Sequence, residues 1–166
     1  MPDRTPGIVV VNTTPIISLS VVGHLELLRD LYERPVVPPA VRTEALIKGA
    51  DVAGVTELTQ ATWIETVPLR DPRRADLVSD LDRGEAEVLA LAQELNASLV
   101  ILDERMGRRY ARRLGIRLTG TLGVLLRAKQ QQLIPAVGPL IRGMQEAGIR
   151  FGGPLVDQVL RVAEEL

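Results

Sequence analysis

Apolar positions along this chain follow two alternating patterns. Short, unbroken β-branched runs recur between longer stretches in which apolar residues return every three or four positions. Ile8-Val9-Val10-Val11, bounded by Gly7 and by Asn12-Thr13-Thr14-Pro15, predicts a fully buried strand ending in a polar turn. Pro15 suits the first turn of a helix with Thr14 as its cap, and Ile16, Ile17 and Leu19 continue it as far as Gly23. A second helix is expected from His24 through Leu25, Leu28 and Leu31, with His24 as a capping or surface residue. Val36-Val37 predicts a short strand, and Pro38-Pro39 opens a helix through Val41, Glu44, Ala45 and Ile47.

The alternation then repeats. Val55 to Ala61 has a helical pattern, and Trp63-Ile64-Glu65-Thr66-Val67 a strand pattern closed by Asp71-Pro72. Glu85 to Leu95 places Val88, Leu89, Leu91, Ala92 and Leu95 on one helix face. After Asn96-Ala97, Ser98-Leu99-Val100-Ile101-Leu102 predicts a second buried strand that stops at Asp103. A basic helix follows, then an Ile116-Arg117-Leu118 strand, then three helical stretches, the last two separated by Gly148, Gly152-Gly153 and Pro154. Strands alternating with helices predict an α/β domain with a mostly parallel central sheet and helices on both faces. A length of 166 residues fits one domain, 1–166, with a helical C-terminal extension from about Pro135.

Composition removes several function classes. Without cysteine there are no disulfides, thiolate zinc sites or cysteine nucleophiles, and one histidine argues against His-rich metal sites. Aromatic residues at 2% leave little for stacking bases or sugars; Tyr32, Trp63 and Phe151 are scattered and read as core or partly buried positions. A net charge of −1 excludes a globally basic nucleic-acid binder while leaving room for a local basic stripe. Lys48 and Lys129 are the only lysines among 20 basic residues, so arginine carries nearly all the positive charge. No apolar run is long enough to span a membrane, and Met1-Pro2-Asp3-Arg4 does not begin a secretory leader, so a soluble, cytoplasmic protein is expected. G-x-G-x-x-G, G-x-S-x-G, a P-loop and a zincin helix motif are all missing; Gly120-Thr121-Leu122-Gly123 has no following Lys-Ser/Thr pair.

In a parallel α/β sheet ligands sit beyond the carboxyl ends of the strands. The two best strands end in Asn12-Thr13-Thr14 and in Asp103-Glu104, and Glu44 and Glu85 lie near that edge. Carboxylates gathered there would repel one another without a cation, and hard divalent ions such as Mg²⁺ or Mn²⁺ prefer such oxygen ligands. Each residue also has a plainer role: Asp82 and Glu85 as a capping box, Glu44 as a solvated helix residue, Asp103 as a helix cap, Asn12 with its threonines as turn chemistry. Arg105, Arg108, Arg109, Arg112 and Arg113 fall on one helical face, a track for a phosphate backbone or else a solvated face, with Met106, Tyr110 and Leu114 opposite and expected against the sheet.

The chain resembles PIN-domain proteins, the fold used by VapC-type toxin ribonucleases, and within them a branch of unknown function with an extended helical C-terminus. The resemblance covers most of the chain. It rests on Val10-Val11-Asn12-Thr13-Thr14-Pro15-Ile16-Ile17, Val37-Pro38-Pro39-Ala40-Val41-Arg42-Thr43-Glu44 and Gly84-Glu85-Ala86-Glu87-Val88-Leu89-Ala90-Leu91-Ala92. Leu102-Asp103-Glu104-Arg105-Met106-Gly107-Arg108-Arg109 and Gly120-Thr121-Leu122-Gly123-Val124-Leu125 complete it. It implies a three-layer PIN-like sandwich and a Mg²⁺- or Mn²⁺-dependent endoribonuclease cleaving single-stranded RNA, the toxin of a toxin–antitoxin pair. Homodimers and a small antitoxin protein are the implied partners. By position it assigns the catalytic metal pocket to Asn12, Glu44, Glu85 and Asp103, with Thr13, Thr14, Glu87 and Glu104 in support. Asn12 departs from the family's aspartate and favours the alternative, a catalytically degenerate PIN fold acting as an RNA- or protein-binding module. A receiver-like phosphate-transfer protein would need an acidic pair at the first strand end, which Asn12 does not supply.

Overall fold

Val9, Val10 and Val11 are fully buried although successive strand side chains point to opposite faces, so layers must cover the first strand from both sides. The computed structural model describes residues 3–49 and 59–166. In it the first strand, β1 (Thr5–Val11), lies in the middle of a five-stranded sheet. β2 (Tyr32–Val37) and β4 (Leu99–Ile101) flank it, and β3 (Glu65–Thr66) and β5 (Leu118–Thr119) form the edges, giving the order β3-β2-β1-β4-β5. All four pairings are parallel, so the mostly parallel sheet expected from the sequence is wholly parallel among the described strands.

The chain moves outward from β1 to β3 and then returns to the other side of β1 for β4. That reversal creates a switch point between the carboxyl ends of β1 and β4, where loops diverge and leave a crevice. The backbone bond from Asn12 N to Ile101 O, 3.0 Å, ties the two ends together there.

The helices are α1 (Thr13–Val21), α2 (Leu27–Leu31), α3 (Pro39–Lys48), α4 (Arg73–Asp76), α5 (Arg83–Glu94), α6 (Arg105–Arg113), α7 (Thr121–Gln130), α8 (Gly138–Glu146) and α9 (Gly153–Val162); all but the short α4 are expected from the sequence, in this order. The helix expected from Val55 lies, up to residue 58, outside the described residues. Several boundaries differ from the sequence reading, and of the strand expected over Trp63–Val67 only Glu65–Thr66 forms, as β3. α1 begins at Thr13 with Asn12, not Thr14, in the cap position. α2 begins at Leu27, because His24 to Glu26 form a turn closed by Leu27 N on His24 O. The last strand starts at Leu118, since Ile116 N is used to close α6 on Ala111 O. The C-terminal helices pack on the same core: Ile134, Val137, Ile141, Met144, Val159 and Ala163 belong to the same buried cluster as β1. Among the described residues no helix is long and apolar enough to cross a membrane.

The basic helix packs differently from the expectation. Gly107 and Ala111 are its buried residues, whereas Met106 and Leu114 are exposed and Tyr110 is only partly covered, bonding Asp80 through its hydroxyl. Small residues win this face because α6 lies very close to the end of β4: a Cβ on Gly107 would stand 2.7 Å from Leu102 Cδ2. Leu102 is itself fully buried, so its side chain has little free space to move into. Gly107→Val should therefore lower stability by about 1–3 kcal/mol, overpacking outweighing the few tenths gained in helix propensity. Urea denaturation measures this, and an unchanged midpoint would mean that α6 sits farther from Leu102.

Candidate functional site

Asn12 ends β1 and occupies the cap position of α1, yet its side chain makes no cap bond. Its Nδ2 instead donates to Glu104 Oε2 at 3.0 Å. The next two residues are diverted in the same way: Thr13 Oγ1 donates to Glu44 Oε2 at 3.0 Å and Thr14 Oγ1 to Glu104 Oε1 at 2.5 Å. Three consecutive residues of the types that usually cap helices thus hold carboxylates from two other segments. Asn12 is 3% exposed, and its Oδ1 is buried without a hydrogen-bond partner among the described residues. Such an oxygen is costly unless something polar or cationic meets it.

Glu85 enters the crevice from the first turn of α5. Asp82 Oδ1 accepts from Glu85 N at 2.8 Å, so Asp82 caps α5 as the capping-box spacing implies, and the Asp82 backbone acts against the rise of the Glu85 carboxyl. The same carboxylate also serves the crevice. Burial first, then the charges of Asp82, Glu104 and Glu44, push the Glu85 carboxyl from the ordinary 4.5 up to about 7. Glu44 reaches the crevice from α3 because the first turn of α5 carries a glycine: a Cβ on Gly84 would stand 2.6 Å from Glu44 Oε2. Glu44 Oε1 is taken by Lys48 Nζ, one helical turn on, at 2.5 Å.

Asp103 sits at the same sheet edge but is held elsewhere. It accepts from Thr121 N at 2.8 Å and from Thr121 Oγ1 at 2.5 Å, so it caps α7, whose own cap residue, Gly120, has no side chain. Gly120 is required for this approach, since a Cβ there would lie 2.5 Å from Asp103 Oδ1. Burial raises the Asp103 carboxyl, with the Thr121 bonds and Arg108 opposing and Glu104 adding to the rise. Glu87 stands apart as a tie between α3 and α5, accepting from Arg83 Nε at 2.8 Å and from Ala40 N at 3.4 Å.

The structure therefore brings together Asn12, Glu44, Glu85 and Glu104, orders them through Thr13 and Thr14, and turns Asp103 and Glu87 toward structural partners. Lys48 and Asp82 are the members that sequence reasoning did not count in the crevice. The Glu44–Lys48 spacing of four residues on a helix was the available signal for the first. Among the described residues no group of three or more Asp, Glu, His or Cys side chains stands arranged to hold a metal ion. The donor chemistry nevertheless fits a hard divalent cation. Glu44, Glu85 and Glu104 offer carboxylate oxygens, Asn12 Oδ1 is an unused carbonyl oxygen, and the charges of Asp82, Glu104 and Glu44 add to the burial that raises the Glu85 carboxyl.

Beside this crevice, Arg105, Arg109, Arg112 and Arg113 are exposed on α6. Arg113 lies over the Tyr110 ring, 5.8 Å from its centroid, and the other three have no carboxylate partner among the described residues. Arg108 leaves the stripe: it is half-buried and donates from Nη1 to Leu102 O at 3.0 Å.

The Glu85 shift has a definite sign. The folded protein binds this proton more tightly than the unfolded chain, so stability conferred at acid pH is lost as pH rises from about 4.5 through about 7. In the presence of a chelator, Glu85→Gln should remove that loss and be the more stable protein above pH 7. Urea midpoints taken across this range check it, and parallel profiles for the two proteins would contradict the crowding described above.

No curated protein matches the chain significantly. The family model DUF3368, described as a PIN domain, matches residues 8–165, which takes in the whole sheet from Ile8, the four crevice residues and all the C-terminal helices. Over nearly its full length, the chain belongs to the PIN-domain family.

Proposed function

We propose that this PIN domain is a Mg²⁺- or Mn²⁺-dependent endoribonuclease that cleaves single-stranded RNA as the toxin of a toxin–antitoxin pair. The observation that carries the reading is the buried, unpartnered Asn12 Oδ1 in a crevice shared with three glutamates. Glu44, Glu85, Glu104 and Asn12 would hold the ion, with Asp103 flanking them at the strand end. A divalent ion there would neutralise the carboxylates and polarise the scissile phosphodiester.

The rest of the work falls to residues already in place. Thr13 and Thr14 fix Glu44 and Glu104 so that both glutamates reach the crevice rather than solvent. Asp103, by holding the start of α7, keeps the β4 end and its Glu104 in position. Arg105, Arg109, Arg112 and Arg113 form an exposed cationic edge that would take the RNA backbone, while Arg108 supports the turn at Leu102. Cytoplasmic residence, a homodimer and a small antitoxin protein that covers the crevice belong to the same reading.

End-labelled single-stranded RNA on a denaturing gel tests it. Cleavage should require Mn²⁺ or Mg²⁺, and Glu85→Gln should abolish it while leaving RNA binding in place. Replacing Arg105 and Arg109 together by Gln should weaken binding and make its salt dependence shallower by about 0.7 per arginine. The second reading, a degenerate PIN domain that binds RNA or protein without cleaving it, is favoured by the missing negative charge at Asn12. Metal-independent RNA binding with no cleavage by the wild type would establish it over the first.

A further inference from the structure

An ordinary Glu–Lys pair one turn apart on an exposed helix contributes little and breaks easily. Lys48 is placed differently. Its ammonium reaches Glu44 Oε1 at 2.5 Å and also lies in the fields of Asp82, from the loop before α5, and Glu104, from the end of β4. Lys48 thus lines one groove with Glu44 and Asp82, and Glu104 also acts on its charge. The nearby Arg83 is committed elsewhere, to Asp76 and Glu87, each at 2.8 Å. Both oxygens of Glu44 are occupied, Oε1 by Lys48 and Oε2 by Thr13. Each oxygen keeps a second lone pair, so a cation could share one of them, but its charge would then repel the ammonium already there.

Thr13 is buried and fixed at the start of α1, whereas the Lys48 side chain is 59% exposed on a flexible stem. The lysine is the partner that can leave. We propose that Lys48 is an exchangeable counter-ion of this site: its ammonium neutralises the crevice in the metal-free protein and is expelled when a divalent cation enters. The inference rests on the metal reading of the crevice and adds its regulation. Occupancy then depends on the cation outcompeting a tethered ammonium, which sets a threshold of metal concentration below which the site stays closed. Lysine suits this better than arginine, whose planar fork would grip a carboxylate at two points and release it less readily.

The composition makes the test direct, because Lys129 is the only other lysine and is held by Glu165 and the Ala163 carbonyl. Acetylation by an amine reagent, read by mass spectrometry with and without saturating Mn²⁺, should show Lys48 becoming more reactive on metal binding while Lys129 stays constant. Calorimetry should show Lys48→Gln binding Mn²⁺ several-fold more tightly than wild type and Lys48→Arg no more tightly. Mn²⁺ binding to Lys48→Gln alone would be the strongest support. If Mn²⁺ binds wild type, is lost in Glu85→Gln, and leaves Lys48 reactivity and the Lys48→Gln affinity unchanged, the exchange is wrong and the metal site stands. If neither wild type nor Lys48→Gln binds Mn²⁺, the metal reading falls and this inference with it.

Discussion

Mutual repulsion among glutamates from three separate segments is the constraint around which the functional edge of this protein is organised. Glu44, Glu85 and Glu104 belong to α3, α5 and the end of β4, and burial first, with the charges of Asp82, Glu104 and Glu44 added, raises the Glu85 carboxyl to about 7. At an effective dielectric near 20, two unit charges ~4 Å apart repel by about 4 kcal/mol. Hydrogen bonds to charged groups return about 1.5–3 kcal/mol each. Those from Asn12, Thr13 and Thr14, with the Lys48 ammonium, act against such repulsion and are of comparable size. The amino-terminal turn of α1 gives up its own side-chain caps to provide them.

The fold makes that concentration of charge geometrically unavoidable. A strand order that reverses between β1 and β4 puts the ends of both strands beside one crevice, and the bond from Asn12 N to Ile101 O fixes their separation. Close approach then does the rest, through glycines whose missing side chains are filled by functional atoms. Gly84 admits the Glu44 carboxylate, Gly120 admits Asp103, and Gly107 lets α6 rest on Leu102 with its arginines outward. Each of these contacts would be closed by a single methyl group. The acidic edge and the basic helix beside it are thus consequences of the same tight packing.

Most of this architecture was legible in the chain itself, because its signals are strong and local. A β-branched run such as Val9-Val10-Val11 can only be buried on both faces, and Glu85 to Leu95 carries an unambiguous helical stripe. The errors arose where a long-range partner outbid a local preference. Thr14 has the residue type and position of a helix cap, but Glu104, ninety residues away in sequence, takes its hydroxyl. Asp103 precedes a helix and suggests a cap for it, yet the helix it caps is α7, because Gly120-Thr121 comes close enough to use it. The arginine spacing on α6 was correct, but the face opposite was assigned by hydrophobicity when closeness to Leu102 selected Gly107 and Ala111. In the crevice, the position of acidic residues at strand ends and the family resemblance put Asp103 in the pocket and Glu104 in support, whereas the hydrogen bonds tie Asp103 to Thr121 and Glu104 to Asn12. Only the side-chain directions separate the one that caps a helix from the one that Asn12 holds.

The carboxamide at position 12 is best understood through that last contact. An aspartate there would offer a second charged oxygen to a cation, but it has no N–H with which to hold Glu104 and would add a further negative charge beside a carboxyl already raised to about 7. Asparagine keeps one carbonyl oxygen directed into the crevice and uses its amide hydrogens to draw in the neighbouring glutamate. In the metal-free protein this lowers repulsion and orders the edge, and Lys48 supplies positive charge from the other side. For a bound cation the same choice removes a unit of attraction. Asn12 and Lys48 therefore act in one direction, toward a crevice that is stable when empty and that a divalent ion must work to occupy.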